Sequence, residues 1–188
     1  MKINDILNNI YKLPSASLEA LIHSVSEVEY PKCFHLLREN GKESKSYFIK
    51  KGIVRAYAHK NKKEVTLWLG QEGDLILPLQ IPFTGLGEYT KIELLEDSIL
   101  YEIDLKRLRD LYLTDIHIAN WGRKFAEYIC LKSETFFIAR RFKTPAERYK
   151  ELITECPDII QRVPLGIVAS YWSISQVSLN RLSELQNK

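Results

Sequence analysis

The spacing of apolar residues changes along the chain and predicts regions of different structure. Over residues 1–27, apolar side chains recur at three- and four-residue steps with a break at Pro14, which predicts one or two short helices. Residues 28–103 instead contain short β-rich runs, including YFI, IVRAYA, EVTLWL, YTKIELLE and SILYEI, separated by turn signals such as HKNKK and GQEGD. Strands about ten residues apart, with no helical pattern between them, predict an antiparallel barrel or sandwich.

A long helix is predicted over residues 115–141, because the chain from Asp104 to Phe142 contains no proline and its apolar residues follow a helical pattern. At 1.5 Å per residue this helix is about 40 Å long, which exceeds the side of a small barrel. The apolar residues form a stripe along one face of the helix, and this stripe could pack on the chain's own barrel or on the same helix of a second chain in a two-fold dimer. The length of the helix and the stripe together favour the dimer. Its apolar residues are Ile118, Trp121, Phe125, Tyr128 and Ile129.

Residues 144–147, TPAE, predict the start of another helix. Thr144 can cap this helix, Pro145 suits its first position and Glu147 completes a capping box. The helix is expected to end before Pro157. We place a domain boundary at 142–144, between this helix and the long one.

Residues 163–182, VPLGIVASYWSISQVSLNRL, predict two short helices that cross steeply. Pro164 suits the first turn of a helix over 165–171, and Ser175 is a favourable N-cap for a second helix. Because only three residues separate the helices, the geometry is that of a helix–turn–helix. Ala169 is the small residue needed at the crossing, and the turn residue Ser173 is expected to be left-handed, which costs about 1 kcal/mol for a residue other than Gly. The apolar residues that fill the wedge between the helices are Val168, Trp172, Ile174, Leu179 and Leu182.

The outward face of the second helix is predicted to be polar and rich in hydrogen-bonding groups. A merely solvated helix usually carries Lys and Glu, whereas Gln and Asn can pair with adenine edges, and Arg with guanine or phosphate. Helix N-termini also favour phosphate. The face therefore predicts duplex DNA as a partner, and a capped hairpin without a partner is the alternative. Its residues are Ser175, Gln176, Ser178, Asn180 and Arg181.

Composition restricts the remaining classes of function. Hydrophobic residues make up 45% and charged residues 27% of the 188 residues, which is typical of a protein with a core. No apolar run approaches the roughly 20 residues that span a bilayer, and the polar N-terminus does not resemble a signal peptide, so we expect a cytoplasmic protein without membrane contact. The net charge of +3 is concentrated in residues 139–188, which contain eight Lys or Arg and five Asp or Glu.

The three cysteines and four histidines are scattered along the chain. Cys33, Cys130 and Cys156 form neither a disulfide framework nor a zinc-binding spacing, and we expect them to be reduced, buried thiols. No metal site and no cofactor is predicted. A cupin-like barrel enzyme would fit the strands but requires clustered metal ligands, so we expect that the protein is not an enzyme.

A β-roll, a long helix and a terminal helix–turn–helix together resemble the Crp/Fnr superfamily of bacterial transcription regulators. YFIKKGIVRAY and GQEGD resemble the early strands and the Gly-Asp turn of the family's cyclic-nucleotide-type β-roll, and TPAERYKELITECPDIIQRVPLGIVASYWSISQVSLNRL resembles its C-terminal domain. The resemblance implies an α+β fold with an antiparallel, jelly-roll-like β-roll and flanking helices over 1–113. It further implies a dimerisation helix over 114–142 and a helix–turn–helix domain over 143–188.

The resemblance also implies partners for the chain. The family's members form a homodimer through the long helix and bind duplex DNA at a two-fold-related site. RNA polymerase and an unidentified small-molecule effector are the other partners that the resemblance implies.

The ligand site of the family is not reproduced in this sequence. No Arg occurs between Arg55 and Arg107 to pair with a buried cyclic phosphate. The stretch 78–90 has two Pro and two Gly, fits no strand, and is expected to form a long loop or a short helix. Only Glu88 and Lys91 lie near the family's ligand cassette. They are the candidate effector pocket, and we expect that the roll does not bind cyclic AMP.

The second helix departs from the family as well. Gln176 and Val177 stand where the family's cyclic-AMP receptor has an Arg-Glu pair, so the target sequence should differ. Six residues follow Leu182 in the sequence, so we expect that the β-wing that usually follows in the family is missing. An alternative is therefore a ligand-binding or protein-interaction module of the same fold that has lost DNA binding.

Overall fold

The computed structural model describes residues 1–37, 45–76, 90–155, 157–179 and 181. The chain begins with two short helices, α1 (Ile3–Ile10) and α2 (Ser15–His23), as the apolar spacing predicts. Pro14 is the N-cap of α2 and separates the two helices.

Eight strands in the described residues form the predicted antiparallel β-roll. They build two four-stranded sheets with the orders β1-β8-β3-β6 and β2-β7-β4-β5, in which every pairing is antiparallel. The α+β, jelly-roll-like fold class is thereby confirmed. The strands are β1 (Val25–Tyr30), β2 (His35–Leu37), β3 (Lys45–Lys51), β4 (Val54–Lys60), β5 (Lys63–Gly70), β6 (Leu75–Ile76), β7 (Lys91–Leu94) and β8 (Ser98–Asp104).

The space between the two sheets is filled by apolar side chains that alternate with outward-facing residues along each strand. On β4, Val54 and Ala56 face this interior, while Arg55 lies on the outer face. The strands β1, β2 and β6 are absent from the sequence prediction. All three lie at sheet edges, and half of the residues of β1 are polar and none is fully buried, so it lacks a continuous apolar run. The interior residues are Leu36, Leu37, Tyr47, Ile49, Val54, Ala56, Ile76, Ile92, Leu94 and Leu100.

The predicted long helix is present as α4 (Ile116–Phe142), preceded by α3 (Leu105–Thr114). An aspartate caps each helix. Asp104 accepts hydrogen bonds from the backbone N–H groups of residues 106 and 107 at 2.8 and 3.0 Å. Asp115 accepts from residues 117 and 118 at 2.8 and 3.2 Å, which separates α4 from α3.

The first part of the α4 stripe packs on its own chain. Ile118, Trp121 and Phe125 are buried in one cluster with residues of α1, α2 and the roll. The Trp121 indole N–H donates to the Leu7 carbonyl at 2.9 Å, and its ring lies 5.9 Å from that of Phe48. The own-barrel alternative is therefore correct for these three residues.

A second, mainly apolar stripe, which shares Tyr128 with the predicted one, is exposed on the second part of α4. Leu131 is 61% exposed, Ile138 49% and Phe142 80%. Together with the exposed Tyr128 and Thr135, they recur at steps of three and four residues, which is the a/d spacing of a coiled coil. We call these five positions the α4 seam.

Three short helices and the start of a fourth complete the described chain. They are α5 (Pro145–Glu155), α6 (Pro157–Arg162), α7 (Leu165–Trp172) and a final helix that includes residues 176–179 and 181. The capping box of α5 is confirmed, because the Thr144 N–H donates to Glu147 at 2.7 Å and the Glu147 N–H donates to Thr144 Oγ1 at 3.3 Å. The short α6 is absent from the sequence prediction.

The expected burial of the cysteines is wrong for two of the three residues. Cys33 and Cys130 are free thiols and both are exposed, because Cys33 lies in a surface turn with φ 65° and Cys130 lies on a solvent-facing side of α4. Cys156 lies outside the described residues. Over the described ranges, no group of three His, Cys, Asp or Glu residues could hold a metal ion. Among the residues that the structure describes, no helix is long and apolar enough to cross a membrane.

Candidate nucleic-acid interface

The turn between α7 and the final helix has the conformation expected of a helix–turn–helix. Ser173 is left-handed, with φ 53° and ψ 43°. The Ile174 N–H donates to the Ala169 carbonyl at 3.0 Å, which closes the end of α7. Ala169 is only 3% exposed. Its small side chain therefore lets the following segment pack closely against α7.

The wedge between α7 and the final helix is apolar, as predicted. Val168, Trp172, Ile174 and Leu179 are all buried in one hydrophobic cluster with residues of α5 and α6. Leu182, the fifth wedge position, lies outside the described residues. The crossing angle is thus held by packing rather than by the turn alone.

The candidate DNA-contacting residues divide into a cap and an outward face. The Ser178 N–H donates to Ser175 Oγ at 3.1 Å, so Ser175 is the N-cap of the final helix, and the Ser178 hydroxyl lies 2.7 Å from the Ser175 hydroxyl. Gln176 and Arg181 are exposed, and Val177 between them is 63% exposed. Asn180 lies outside the described residues.

Two arginines brace the end of α7. The Arg140 guanidinium on α4 donates to the Tyr171 carbonyl, and Arg148 on α5 donates to the carbonyls of Ser173 and Arg140 at 3.3 and 3.2 Å. The last carbonyls of a helix lack intrahelical donors, so the two guanidinium groups supply hydrogen bonds there. Their positive charges also interact favourably with the negative end of the helix dipole. Burial lowers the pKa of Arg140. Sequence reasoning missed this bracing, because nothing in the spacing of 140–148 singles out the two arginines.

The helix–turn–helix packs directly against the roll. The Thr66 N–H of the edge strand β5 donates to Ser170 Oγ of α7 at 2.9 Å. Ile53 and Leu69 of the roll belong to the same buried cluster as the wedge residues. The roll and the C-terminal helices therefore share one hydrophobic cluster.

An ion cluster lies at the edge of this contact. Arg162, the last residue of α6, donates to both oxygens of Glu72 at 3.1 and 2.8 Å, and to both oxygens of Glu96. Burial, the largest influence, raises the pKa of Glu72, but hydrogen bonds from Arg162 and from the Gly52 N–H outweigh it and lower the pKa to about 2. Sequence reasoning missed these residues, which lie 90 and 66 positions apart from Arg162.

The shifted pKa predicts an acid-sensitive contribution to stability. Because the folded-state pKa of Glu72 is about 2 and its ordinary value is 4.5, the carboxylate stabilises the fold at neutral pH. This stabilisation is lost as the pH falls from 4.5 towards 2. Glu72→Gln is expected to flatten the decline in unfolding free energy over that interval, measured by urea unfolding at fixed protein concentration. Glu19→Gln, at an exposed position on α2, is the control, and equal slopes for the two variants would contradict the prediction.

The candidate effector residues are not brought together in the described part of the chain. Glu88 lies outside the described residues. Lys91 is the first residue of β7, next to Ile92, which faces the roll interior, so strand alternation places Lys91 on the outer face opposite Tyr57.

Arg55 forms hydrogen bonds and ion pairs with residues on the same outer face of the roll. Its guanidinium donates to Glu64 at 2.7 Å, to Glu93 at 3.0 Å and to Thr66 Oγ1 at 3.0 Å. Its side chain is only 5% exposed. This arginine therefore already has carboxylate partners and is turned away from the roll interior.

No protein-family model and no curated protein sequence matches the chain. Solved structures, in contrast, are similar to the chain. The c-di-GMP-responsive global regulator CLP of Xanthomonas campestris is 16% identical, with a TM-score of 0.69 over 93% of this chain and 92% of that one. FixK2 from Bradyrhizobium japonicum is 17% identical, with a TM-score of 0.69 over 87% and 85%.

A third similar structure comes from Eubacterium rectale and is assigned to the crp/fnr family of transcriptional regulators. It is 15% identical, with a TM-score of 0.69 over 95% of this chain and 88% of that one. Identities this low establish the architecture, and the similarity extends over both the roll and the C-terminal helices. The chain therefore has the fold of the Crp/Fnr transcription regulators, as the sequence resemblance implies.

Proposed function

We propose that the protein is a dimeric, DNA-binding transcription regulator of the Crp/Fnr type. The observation that carries the proposal is the helix–turn–helix itself. A left-handed turn at Ser173 and a buried Ala169 hold the final helix across α7, and its exposed residues are Gln176, Val177 and Arg181. Side chains of these types can contact base edges, the thymine methyl group and phosphate in a major groove.

The α4 seam supports the dimer. A stripe at a/d spacing on a helix of 27 residues is self-complementary under two-fold symmetry, because each knob meets the same set of residues on the second copy. Exposed apolar residues in such a contiguous pattern are typical of an interface. A dimer through this seam would present two recognition helices to a two-fold-related DNA site.

The β-roll is proposed to sense an effector other than cyclic AMP. A buried cyclic phosphate requires a charged partner, and Arg55 is already bound to Glu64 and Glu93. Glu88 and Lys91 remain the sequence-based candidates for the effector pocket. A cytoplasmic location, RNA polymerase as a further partner and the absence of enzymatic activity belong to the same proposal.

Arg181→Ala tests the role of the final helix. The substitution is expected to weaken binding to duplex DNA by about 1–3 kcal/mol, since Arg181 is exposed on the outward face and is assigned a base or phosphate contact. The measurement is a salt-titrated mobility shift on genomic fragments selected with the wild-type protein. Arg109→Ala is the matched control, because it removes the same charge from an exposed position on α3.

The outcome also decides between the two candidate functions. Equal DNA binding by the wild type and Arg181→Ala would show that the final helix does not contact DNA. Absence of DNA binding by the wild type at low salt would favour the alternative, a module of the same fold that has lost DNA binding.

A further inference from the structure

The helix α7 lies between the roll and the final helix. On one side, its Ser170 accepts the Thr66 N–H of the edge strand β5. On the other side, Val168 and Ala169 are buried under the final helix. Any displacement of α7 relative to the roll must therefore displace the final helix as well, because a packed apolar wedge moves as a unit.

Arg162 binds the roll at a point just before α7 begins. It is the last residue of α6, and only Val163, which is buried, and Pro164, the N-cap of α7, separate it from α7. Its two carboxylate partners lie on two different turns of the roll. Glu72 lies between β5 and β6, and Glu96 lies between β7 and β8.

The geometry of the ion cluster is specific to arginine. The two terminal nitrogens donate to Glu72 at 3.1 and 2.8 Å, while Nε and one terminal nitrogen donate to Glu96. Two bidentate pairs use the planar fork of a guanidinium, which a lysine ammonium cannot reproduce. The three side chains are each about 30% exposed, so solvent screens the pairs only in part.

We propose that Arg162 is a positioning residue for DNA recognition: by binding Glu72 and Glu96, it fixes α7, and with it the final helix, on the β-roll. The inference rests on the proposed function and deepens it. Binding to a two-fold-related DNA site requires both recognition helices at a set spacing. Only molecules in which α7 is packed on the roll, which we call the docked state, are therefore competent to bind DNA. Docking leaves Gln176 and Val177 exposed, so it orients the outward face without covering it.

The effect of losing the Arg162 contacts on DNA affinity depends on the fraction of molecules in which α7 is docked on the roll. When only a fraction of the molecules is competent, the apparent dissociation constant rises by the inverse of that fraction. The contacts made once DNA is bound stay the same. Loss of the Arg162 contacts should therefore weaken DNA binding without changing its salt dependence, whereas loss of a phosphate contact changes both.

The test uses the full chain with the double variant Glu72→Gln/Glu96→Gln and the single variant Arg162→Lys. Glu27→Gln is the control, since it removes the partner of Lys50, 2.7 Å away, from an ion pair between β1 and β3 that does not involve Arg162. Amide hydrogen exchange reports docking of α7 and the final helix, and salt-titrated mobility shifts report DNA affinity. Both test variants are expected to exchange faster over residues 165–179 and to bind DNA about tenfold more weakly with an unchanged salt slope.

Other results would overturn the inference. Exchange over residues 165–179 equal to that of Glu27→Gln would show that Arg162 does not hold the docked state. Faster exchange with unchanged or tighter DNA binding would show that docking does not position the final helix. A wild-type protein that never binds DNA would overturn the proposed function, and the exchange data would still decide whether Arg162 docks α7.

Discussion

Replacing Leu131 and Ile138 with Glu is expected to disrupt the proposed dimer and to weaken DNA binding by about 100-fold or more. Both residues lie on the α4 seam and are largely exposed in the single chain. In a two-fold dimer each would be buried against the second copy, and a buried, unpaired carboxylate is strongly unfavourable. The monomer would bind one half-site and lose the gain in affinity from two linked contacts.

The measurement for the seam variant is sedimentation equilibrium combined with the mobility shift. Leu113→Glu is the control, because Leu113 is 84% exposed on α3 and lies outside the seam. Neither mass nor DNA affinity should change in that variant. A double variant that remains dimeric, or a wild-type protein that is already monomeric, would show that the seam does not join two chains.

Trp121→Ala is expected to lower the free energy of unfolding by about 3–5 kcal/mol. Trp121 is fully buried where α4 meets α1 and the roll, and it stacks on Phe125 with ring centroids 5.8 Å apart. The substitution leaves a large cavity and also leaves the Leu7 carbonyl without its indole donor. Urea unfolding followed by circular dichroism, at fixed protein concentration, measures the effect.

Trp121→Phe separates packing from hydrogen bonding at the same position. It keeps an aromatic ring beside Phe125 but removes the N–H donor to Leu7, so a loss of about 1–3 kcal/mol is expected. A loss below about 1 kcal/mol for Trp121→Ala would mean that this cluster does not anchor α4.

Most of the elements could be predicted because their signals are local. The capping box at Thr144 and Glu147, the N-cap Ser175 and the left-handed Ser173 all depend on residues within a few positions of one another. Periodicity likewise identified α4, because a helix repeats its environment every three to four residues. The helix–turn–helix is therefore predictable from the sequence alone.

Elements and contacts without a local signal were missed. Half of the residues of the edge strand β1 are polar and none is fully buried, so the strand lacks the continuous apolar run that marks an inner strand. The predicted stripe comprises Ile118, Trp121, Phe125, Tyr128 and Ile129. The first three are buried in one cluster with α1, α2 and the roll of the same chain, and Ile129 packs against that cluster, whereas Tyr128 is exposed. Periodicity shows that a helix face is apolar, but it does not show which surface covers that face.

By itself, the sequence determined the fold class, the long helix, the start of α5 and the polar face of the final helix. Only the tertiary structure decided which half of α4 stays exposed and how the helix–turn–helix is attached to the roll. The physical reason is sequence separation. The hydrogen bonds from Trp121 to Leu7 and from Arg162 to Glu72 join residues 114 and 90 positions apart. Contacts of that range depend on the path of the whole chain, which no local pattern encodes.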